Sequence, residues 1–321
     1  MRSTAKSPSD IPYTYGLHEL ASGTWAWIQP DGHSDNNAGV VVGEGESMIV
    51  DTTYELRGTR GMLDAAADHL RANPITVAIN THEDQDHTWG NQLLPADAHI
   101  YASAGTMRTF LKLLPQDVRR IMRTDFGEGT AWVQDNYRNR DVDQIVPRLP
   151  AVAIEEDTEL TVGGRSVHLL PVCPAHSNGD VIVHVPDVGV IFAGDLLFIE
   201  VGAAMNAGPL SAWIDALDRM VSLNPTLVVP GHGPVTDVGG VVAFRSFLEA
   251  VAEGARSGLS KGLSPVEAAM ALDPALYSSM FAGERIITLM DGIYADFDRA
   301  HRRMSLGETG VVSERLRNSM A

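Results

Sequence analysis

Thr81-His82-Glu83-Asp84-Gln85-Asp86-His87-Thr88-Trp89-Gly90 packs two histidines and three carboxylates into the six residues from His82 to His87. It directly follows ITVAIN (75–80), a continuous apolar run of the kind that forms a buried strand. A segment leaving the C-terminal end of such a strand sits where α/β folds place their sites. Burying that many unpaired carboxylates carries a heavy desolvation penalty. A positive partner is therefore required, and a pair of divalent metal ions would supply it.

Three further segments have the same placement, an apolar run followed by a turn of small residues that carries one ligand type. They are Pro174-Ala175-His176-Ser177-Asn178-Gly179-Asp180, Ala193-Gly194-Asp195 and Pro230-Gly231-His232-Gly233-Pro234. Taken singly, His176 or His232 would be read as a surface or hydrogen-bonded histidine. Four such turns, each bracketed by Gly or Pro, point together to one metal centre.

Working outward, TWAWI (24–28), GVVVG (39–43) and SMIVDT (47–52) read as short strands. Leu56 to Leu70 reads as one amphipathic helix with Met62, Leu63, Ala66, Ala67 and Leu70 on a single face. The stretch 104–150 breaks the rhythm with helical patterns at 107–114, 116–122 and 130–138, and is expected to be an insertion over the site. Strands resume at 159–162, 166–172, 181–185 and 188–194, then a helix at 212–223 and a strand at 226–230. Beyond about Val238 only helical patterns occur. The expected organisation is a mobile tail over 1–12, a catalytic domain over 13–240 and a helical extension over 241–321 packed on it.

At its site residues the chain resembles the metallo-β-lactamase-fold superfamily, whose motif His-x-His-x-Asp-His is followed by a His, a bridging Asp and a last His on later loops. The resemblance runs from about Asn36 to Asp237 and implies an α/β, four-layer αββα sandwich. Matched residue by residue, it implies that His82, Asp84 and His176 hold one metal, Asp86, His87 and His232 a second, and that Asp195 bridges them. It also implies that Asp51 orients a ligand by hydrogen bonding and that Asp86 takes up the nucleophile's proton. Asp84 departs from the pattern, since the family usually has histidine there. Some diiron members carry Glu at that position, so the expectation for Asp84 is ligation either directly or through water. Two divalent ions are expected, zinc first, with iron or manganese favoured somewhat by the harder site.

Such a centre implies a hydrolase that uses a metal-bridging hydroxide on a small organic ester, thioester, lactone or amide. The alternative implied by Asp84 is a diiron redox enzyme, although the chain has no flavodoxin-like domain to deliver electrons. The formal net charge of −17, from 41 acidic against 24 basic residues, argues against a nucleic-acid partner. No run approaches a bilayer span, the first twelve residues show no secretory signal, and a cytoplasmic location is expected. A small-molecule substrate is the expected partner, and self-association is left open.

Other candidates weigh less. Cys173, the single cysteine, reads as a small strand-end residue. His168 and His184 fall within strands, His18, His69, His99 and His301 outside any cluster, and His33 in a polar turn that could edge the site. Phe110, Leu114, Trp132 and Tyr137 in the insertion, and Phe281, Ile287 and Tyr294 in the extension, are candidate walls of the substrate cavity.

Overall fold

The computed structural model describes residues 5–30, 35–137, 140–172 and 174–320, so His33 and Cys173 lie outside the described residues. The apolar and alternating runs pair into two sheets. The first holds β1 (Gly16–Ala21), β2 (Thr24–Ile28), β3 (Ala38–Val42), β4 (Ser47–Val50), β5 (Ile75–Ile79), β6 (His99–Ser103) and β7 (Val152–Ile154), side by side in chain order. β1 to β4 form an antiparallel meander, and β4 to β7 run parallel. The second sheet holds β8 (Thr158–Val162), β9 (Arg165–Pro171), β10 (Val181–Val185), β11 (Val190–Phe198) and β12 (Leu227–His232), antiparallel except for β11 with β12.

Parallel neighbours need crossover helices. α1 (Leu56–Ala65) and α2 (Ala67–Ala72) carry the chain from β4 to β5. The continuous helix expected over 56–70 is instead two, divided at Ala66, whose backbone leaves helical geometry at φ −90°, ψ 0°. The motif itself forms a single turn, α3 (Gln85–Thr88). The insertion contains α4 (Ala104–Thr109), α5 (Pro115–Ile121) and α6 (Thr130–Asp135), of which α4 and α6 are shorter than the helical patterns suggested. α7 (Leu210–Ser222) crosses from β11 to β12, and α8 (Val238–Ser260), α9 (Pro265–Met270), α10 (Ile286–Phe297) and α11 (Leu306–Met320) complete the chain.

Three apolar layers hold this together. Val41, Met48, Val50 and Ile79 of the first sheet meet Val167, Leu169, Val183, Phe192 and Val229 of the second in the layer between the sheets. Met62 and Ala66 cover the outer face of the first sheet against Ile49, Ala78 and Ile100. Trp213, Leu217, Leu248, Val251, Met290 and Ile293 cover the outer face of the second against Ile182, Ile191 and Val228. Helix, sheet, sheet and helix thus stack in four layers, the expected αββα sandwich.

The extension is part of the outer helical layer, because α8 and α10 share that last apolar cluster with α7. The helical pattern over 284–304 stops at Phe297. Asp291 then draws the following segment back on itself, accepting from His301, Arg303 and the Met304 amide. The described residues ahead of β1 lie against the sandwich, with Ile11 buried between the sheets and the Lys6 amide donating to the Leu20 carbonyl. Among the described residues, no helix is long and apolar enough to cross a membrane.

Candidate metal centre

The motif leaves the end of β5 and turns at once beneath β4. Asp51, at the end of β4, adopts φ +59°, a left-handed conformation that a non-glycine residue rarely holds without compensation. Its carboxylate supplies that compensation. Oδ1 accepts from the Thr81 amide at 2.7 Å, and Oδ2 accepts from the Thr81 hydroxyl at 2.7 Å and from His87 Nδ1 at 2.8 Å. Beneath the turn, Asn80 and Thr52 donate to the His87 carbonyl.

The same logic orients every ring. The Thr81 hydroxyl, having given its proton to Asp51, is left to accept from His82 Nδ1 at 3.1 Å. His176 Nδ1 lies 2.8 Å from the Ala204 carbonyl, and His232 Nδ1 lies 3.1 Å from the Asp35 carbonyl. Each Nδ1 faces an oxygen that can only accept, so each Nδ1 carries a proton and each Nε2 is turned inward, the nitrogen left to bind a metal once any proton of its own has gone. Outer partners of this kind are what fix the tautomer of metal-binding histidines. The His176 turn is closed by Asp180, which accepts from the Ser177 amide and hydroxyl, and burial raises the Asp180 carboxyl above its usual range.

The seven residues singled out in the sequence converge. Ligand atoms of His82, Asp84, His176 and Asp195 lie within 4.8 Å of one another, and those of Asp86, His87 and His232 form a second such group. Asp195 spans the two. Its Oδ2 lies 3.7 Å from His82 Nε2 and 3.5 Å from His176 Nε2, while its Oδ1 lies 3.1 Å from His87 Nε2 and 3.3 Å from His232 Nε2. Two glycines make this approach feasible. A Cβ on Gly231 would fall 2.0 Å from Asp195 Oδ1, and one on Gly194, at φ +52°, would fall 2.5 Å from the Thr81 hydroxyl.

The electrostatics are those of a centre built for cations. Burial opposes charge on Asp86 and Asp195, yet the neighbouring histidines hold both below the usual carboxylate range. Reciprocally, burial would depress the histidines, but the carboxylates hold His87 well above its ordinary value and push His176 and His232 up to about 9. Buried His82 Nε2, His87 Nε2 and Asp195 Oδ1 lack a hydrogen-bond partner, an arrangement costly in itself. Imidazole nitrogens and carboxylate oxygens aimed at common points are a donor set that fits divalent metal ions.

The cluster forms the floor of a cavity of about 430 Å³. Of the expected walls, Trp132 and Tyr137 line it. Phe110 is buried away from it, Leu114 precedes α5, Ile287 sits in the outer core, Phe281 is largely exposed and Tyr294 donates to the Leu263 carbonyl. Helical spacing identified apolar positions, and Phe110, Ile287 and Tyr294 are buried in the packing of the helices rather than turned to the cavity. Leu113, Phe198 and Leu306 supply apolar wall instead, and Lys112, Asn136, Asn206, Arg285 and Thr288 supply polar wall. The roof is one unit. Trp132 Nε1 donates to Glu284 Oε1 at 2.9 Å, and Arg317 and Arg315 of α11 pair with Asp135 and Glu128 of the insertion.

The insertion, expected over the site, also reaches into the cluster itself. Lys112 Nζ lies 2.6 Å from Asp84 Oδ1, and Asn206 donates to Asp84 Oδ2 at 3.0 Å. Burial opposes the Asp84 charge, but Lys112 together with the His176 and His82 rings outweighs it and holds the carboxyl well below its usual range. Nothing local marks Lys112 or Asn206, which lie 28 and 122 residues from Asp84, and only the fold brings them there. Arg140 of the same region pairs with Asp35, the residue whose carbonyl fixes His232.

The support from Asp51 makes a test. Asp51→Asn keeps the shape but loses the charge and one acceptor, and should weaken metal binding by about 10- to 100-fold, read by competition with a chromophoric chelator. Unchanged affinity would show that Asp51 serves the strand end alone.

The chain is similar to "Uncharacterized protein Rv2581c" of Mycobacterium tuberculosis, with 29% identity over 222 residues, covering 64% of this chain and 88% of that protein. It is similar also to "Acyl-coenzyme A thioesterase MBLAC2" of Bos taurus, with 23% identity over 242 residues, covering 68% and 81%. Among solved structures it resembles the stereoselective inverting sec-alkylsulfatase Pisa1 from Pseudomonas sp., with a TM-score of 0.68 and 16% identity. That match covers 88% of this chain but spans only 50% of the alkylsulfatase. A metallo-beta-lactamase from Pontibacter korlensis matches with a TM-score of 0.55 and 18% identity, over 74% of this chain and 99% of that one. These two likenesses concern the fold. The sequence profile of the metallo-beta-lactamase superfamily matches residues 31–232, which take in every residue of the cluster. The inward-facing rings, the carboxylate between them and this match together make the chain a member of the metallo-beta-lactamase superfamily and a hydrolase.

Proposed function

We propose that the chain is a dinuclear metal-dependent hydrolase of a small organic ester, thioester, lactone or amide. The observation that carries the reading is Asp195, whose two oxygens face two different histidine pairs at 3.1 to 3.7 Å. In this reading His82, Asp84 and His176 hold one ion, Asp86, His87 and His232 the other, and Asp195 both. When bound, two divalent ions supply an acidified water as nucleophile and a positive site for the substrate's oxygen.

The chain's own groups do the rest. Asp86, on the cavity floor with Oδ2 3.3 Å from His232 Nε2, is placed to hold the proton that the nucleophile gives up. Trp132, Leu113 and Phe198 offer an apolar face to the substrate body, and Asn136, Asn206 and Thr288 offer hydrogen bonds. Arg285, which donates to Asn136 Oδ1 at 3.3 Å, puts positive charge in the wall, which favours substrates that carry negative charge. The esters named for the thioesterase and alkylsulfatase relatives support an ester-type substrate. Asp84 was the motive for a redox alternative, and its pairing with Lys112 offsets the charge that set it apart from an imidazole. Zinc is the ion we assign first.

The reading is tested by assaying metal-loaded protein against chromogenic carboxylic and sulfate esters, acyl thioesters and lactones. Hydrolysis of at least one class is expected, abolished by chelator and restored by zinc. A protein that carries two metals yet hydrolyses none of them, while reducing oxygen with an added electron donor, would favour the redox alternative.

Selectivity is expected to lie in the roof. Trp132→Ala removes a ring that lines the cavity but touches no proposed ligand. It should raise KM by about 10-fold, with kcat and metal content little changed. A drop in kcat at constant KM would mean that the roof acts on the chemistry.

A further inference from the structure

Asp84 stands at the N-cap of α3, yet its carboxylate makes no bond to the helix amides. Its two oxygens are divided. Oδ1 faces Lys112 Nζ at 2.6 Å. Oδ2 accepts from Asn206 at 3.0 Å and lies 3.6 Å from His82 Nε2 and 3.7 Å from His176 Nε2. The same ammonium reaches Glu83 Oε1 at 3.4 Å, and Glu83 is fully buried. Glu83 is otherwise met by the Asn178 amide and side chain, both at 3.3 Å. The other position is built differently, since Asp86 is met by the rings of His232 and His87 at 3.3 and 3.8 Å and senses the Arg285 charge through space.

We propose that Lys112 is a resident counter-cation for Asp84, and that it keeps the metal position formed by His82, Asp84 and His176 the weaker of the two. The inference rests on the two-metal reading above. Its physical basis is the sign of the charges. An ammonium seated on one carboxylate oxygen withdraws charge from the other oxygen and repels a divalent ion arriving beside it, in surroundings that screen poorly. In exchange, the ammonium, shared between Glu83 and Asp84, offsets one of their two negative charges before any metal binds, so the metal-free protein does not carry two uncompensated carboxylates there. Lys112 belongs to the insertion, between α4 and α5, so the segment that roofs the substrate cavity also sets the occupancy of one metal position.

Zinc is titrated calorimetrically into chelator-stripped, full-length protein. The wild type should show two unequal affinities, and Asp84→Ala should abolish the weaker one, which assigns it. Lys112→Met, which keeps length and removes charge, should tighten the weaker site by roughly 10-fold or more, with the tighter site unmoved. Lys112→Arg keeps the charge and should leave both affinities near those of the wild type. Because Lys112→Met strands the Glu83 charge, the Glu83→Gln/Lys112→Met double variant is measured beside it and should tighten the same site. Metal-free Lys112→Met should also melt lower than the wild type and gain more from zinc.

A weaker site that stays unchanged or loosens in both Lys112→Met variants overturns the proposal, and leaves Lys112 as a group that only positions Asp84. A wild type that binds two zinc ions with equal affinity overturns it as well, while leaving the two-metal reading intact. A wild type that takes up no zinc, iron or manganese at all fails both.

Discussion

Asp195→Ala is expected to lower hydrolytic turnover on the order of a thousandfold and to reduce metal content from two ions to one or fewer. No other residue of the cluster faces both histidine pairs, with Oδ1 toward His87 and His232 and Oδ2 toward His82 and His176. Its loss removes a donor from each position, together with the negative charge that lets two cations sit close. The fold should survive, because the side chain packs against the cluster and no backbone amide depends on it. Circular dichroism and metal analysis on the same sample separate the two effects. A variant with both metals and wild-type turnover would contradict the bridging assignment.

Gly231→Ala, a single added methyl group, is expected to weaken metal binding by about 100-fold. The new Cβ would stand 2.0 Å from Asp195 Oδ1 and 2.8 Å from the Gly194 carbonyl carbon, so either the carboxylate or the loop must move. The loop is held firmly. The Asn37 side chain donates to the Pro230 and Gly233 carbonyls at 3.0 and 2.8 Å, and its amide donates to the Gly231 carbonyl at 2.7 Å. The carboxylate is therefore the part that yields, and it yields away from His87 and His232. Metal affinity measured by chelator competition checks this. Wild-type affinity in Gly231→Ala would mean that the loop has slack that its hydrogen bonds do not suggest.

The centre was legible in the sequence because its residues sit on short turns at strand ends, where an apolar run, a Gly or Pro and one polar residue are adjacent in the chain. His82, Asp86, His87 and His176 have that setting, and Asp51 has it at the end of β4; His232 closes β12 itself, and Asp195 lies within β11, which runs on past the expected turn to Phe198. Lys112, Asn206 and Arg285 do not. Each is a solitary polar residue in a helical or loop stretch, and each reaches the cavity through tertiary packing. The layered architecture was legible from apolar runs in the buried strands. β1 and β6 were not, since they mix polar with apolar residues, as in Gly16-Leu-His-Glu-Leu-Ala21 and His99-Ile-Tyr-Ala-Ser103, and β7 was not, since it is only Val152-Ala-Ile154. Apolar helix faces were found but misassigned. Phe110 and Ile287 look the same on a helix whether they face a cavity or a core, and only the packing distinguishes them.

The measurement that bears most directly on the dinuclear centre is the metal content of protein refilled after chelation, taken together with turnover at each step of refilling. Two ions per chain are expected at saturation, with full activity reached only as the second, weaker position fills. A chain that saturates at one ion, with full activity and no change in Asp84→Ala, would contradict the two-metal centre.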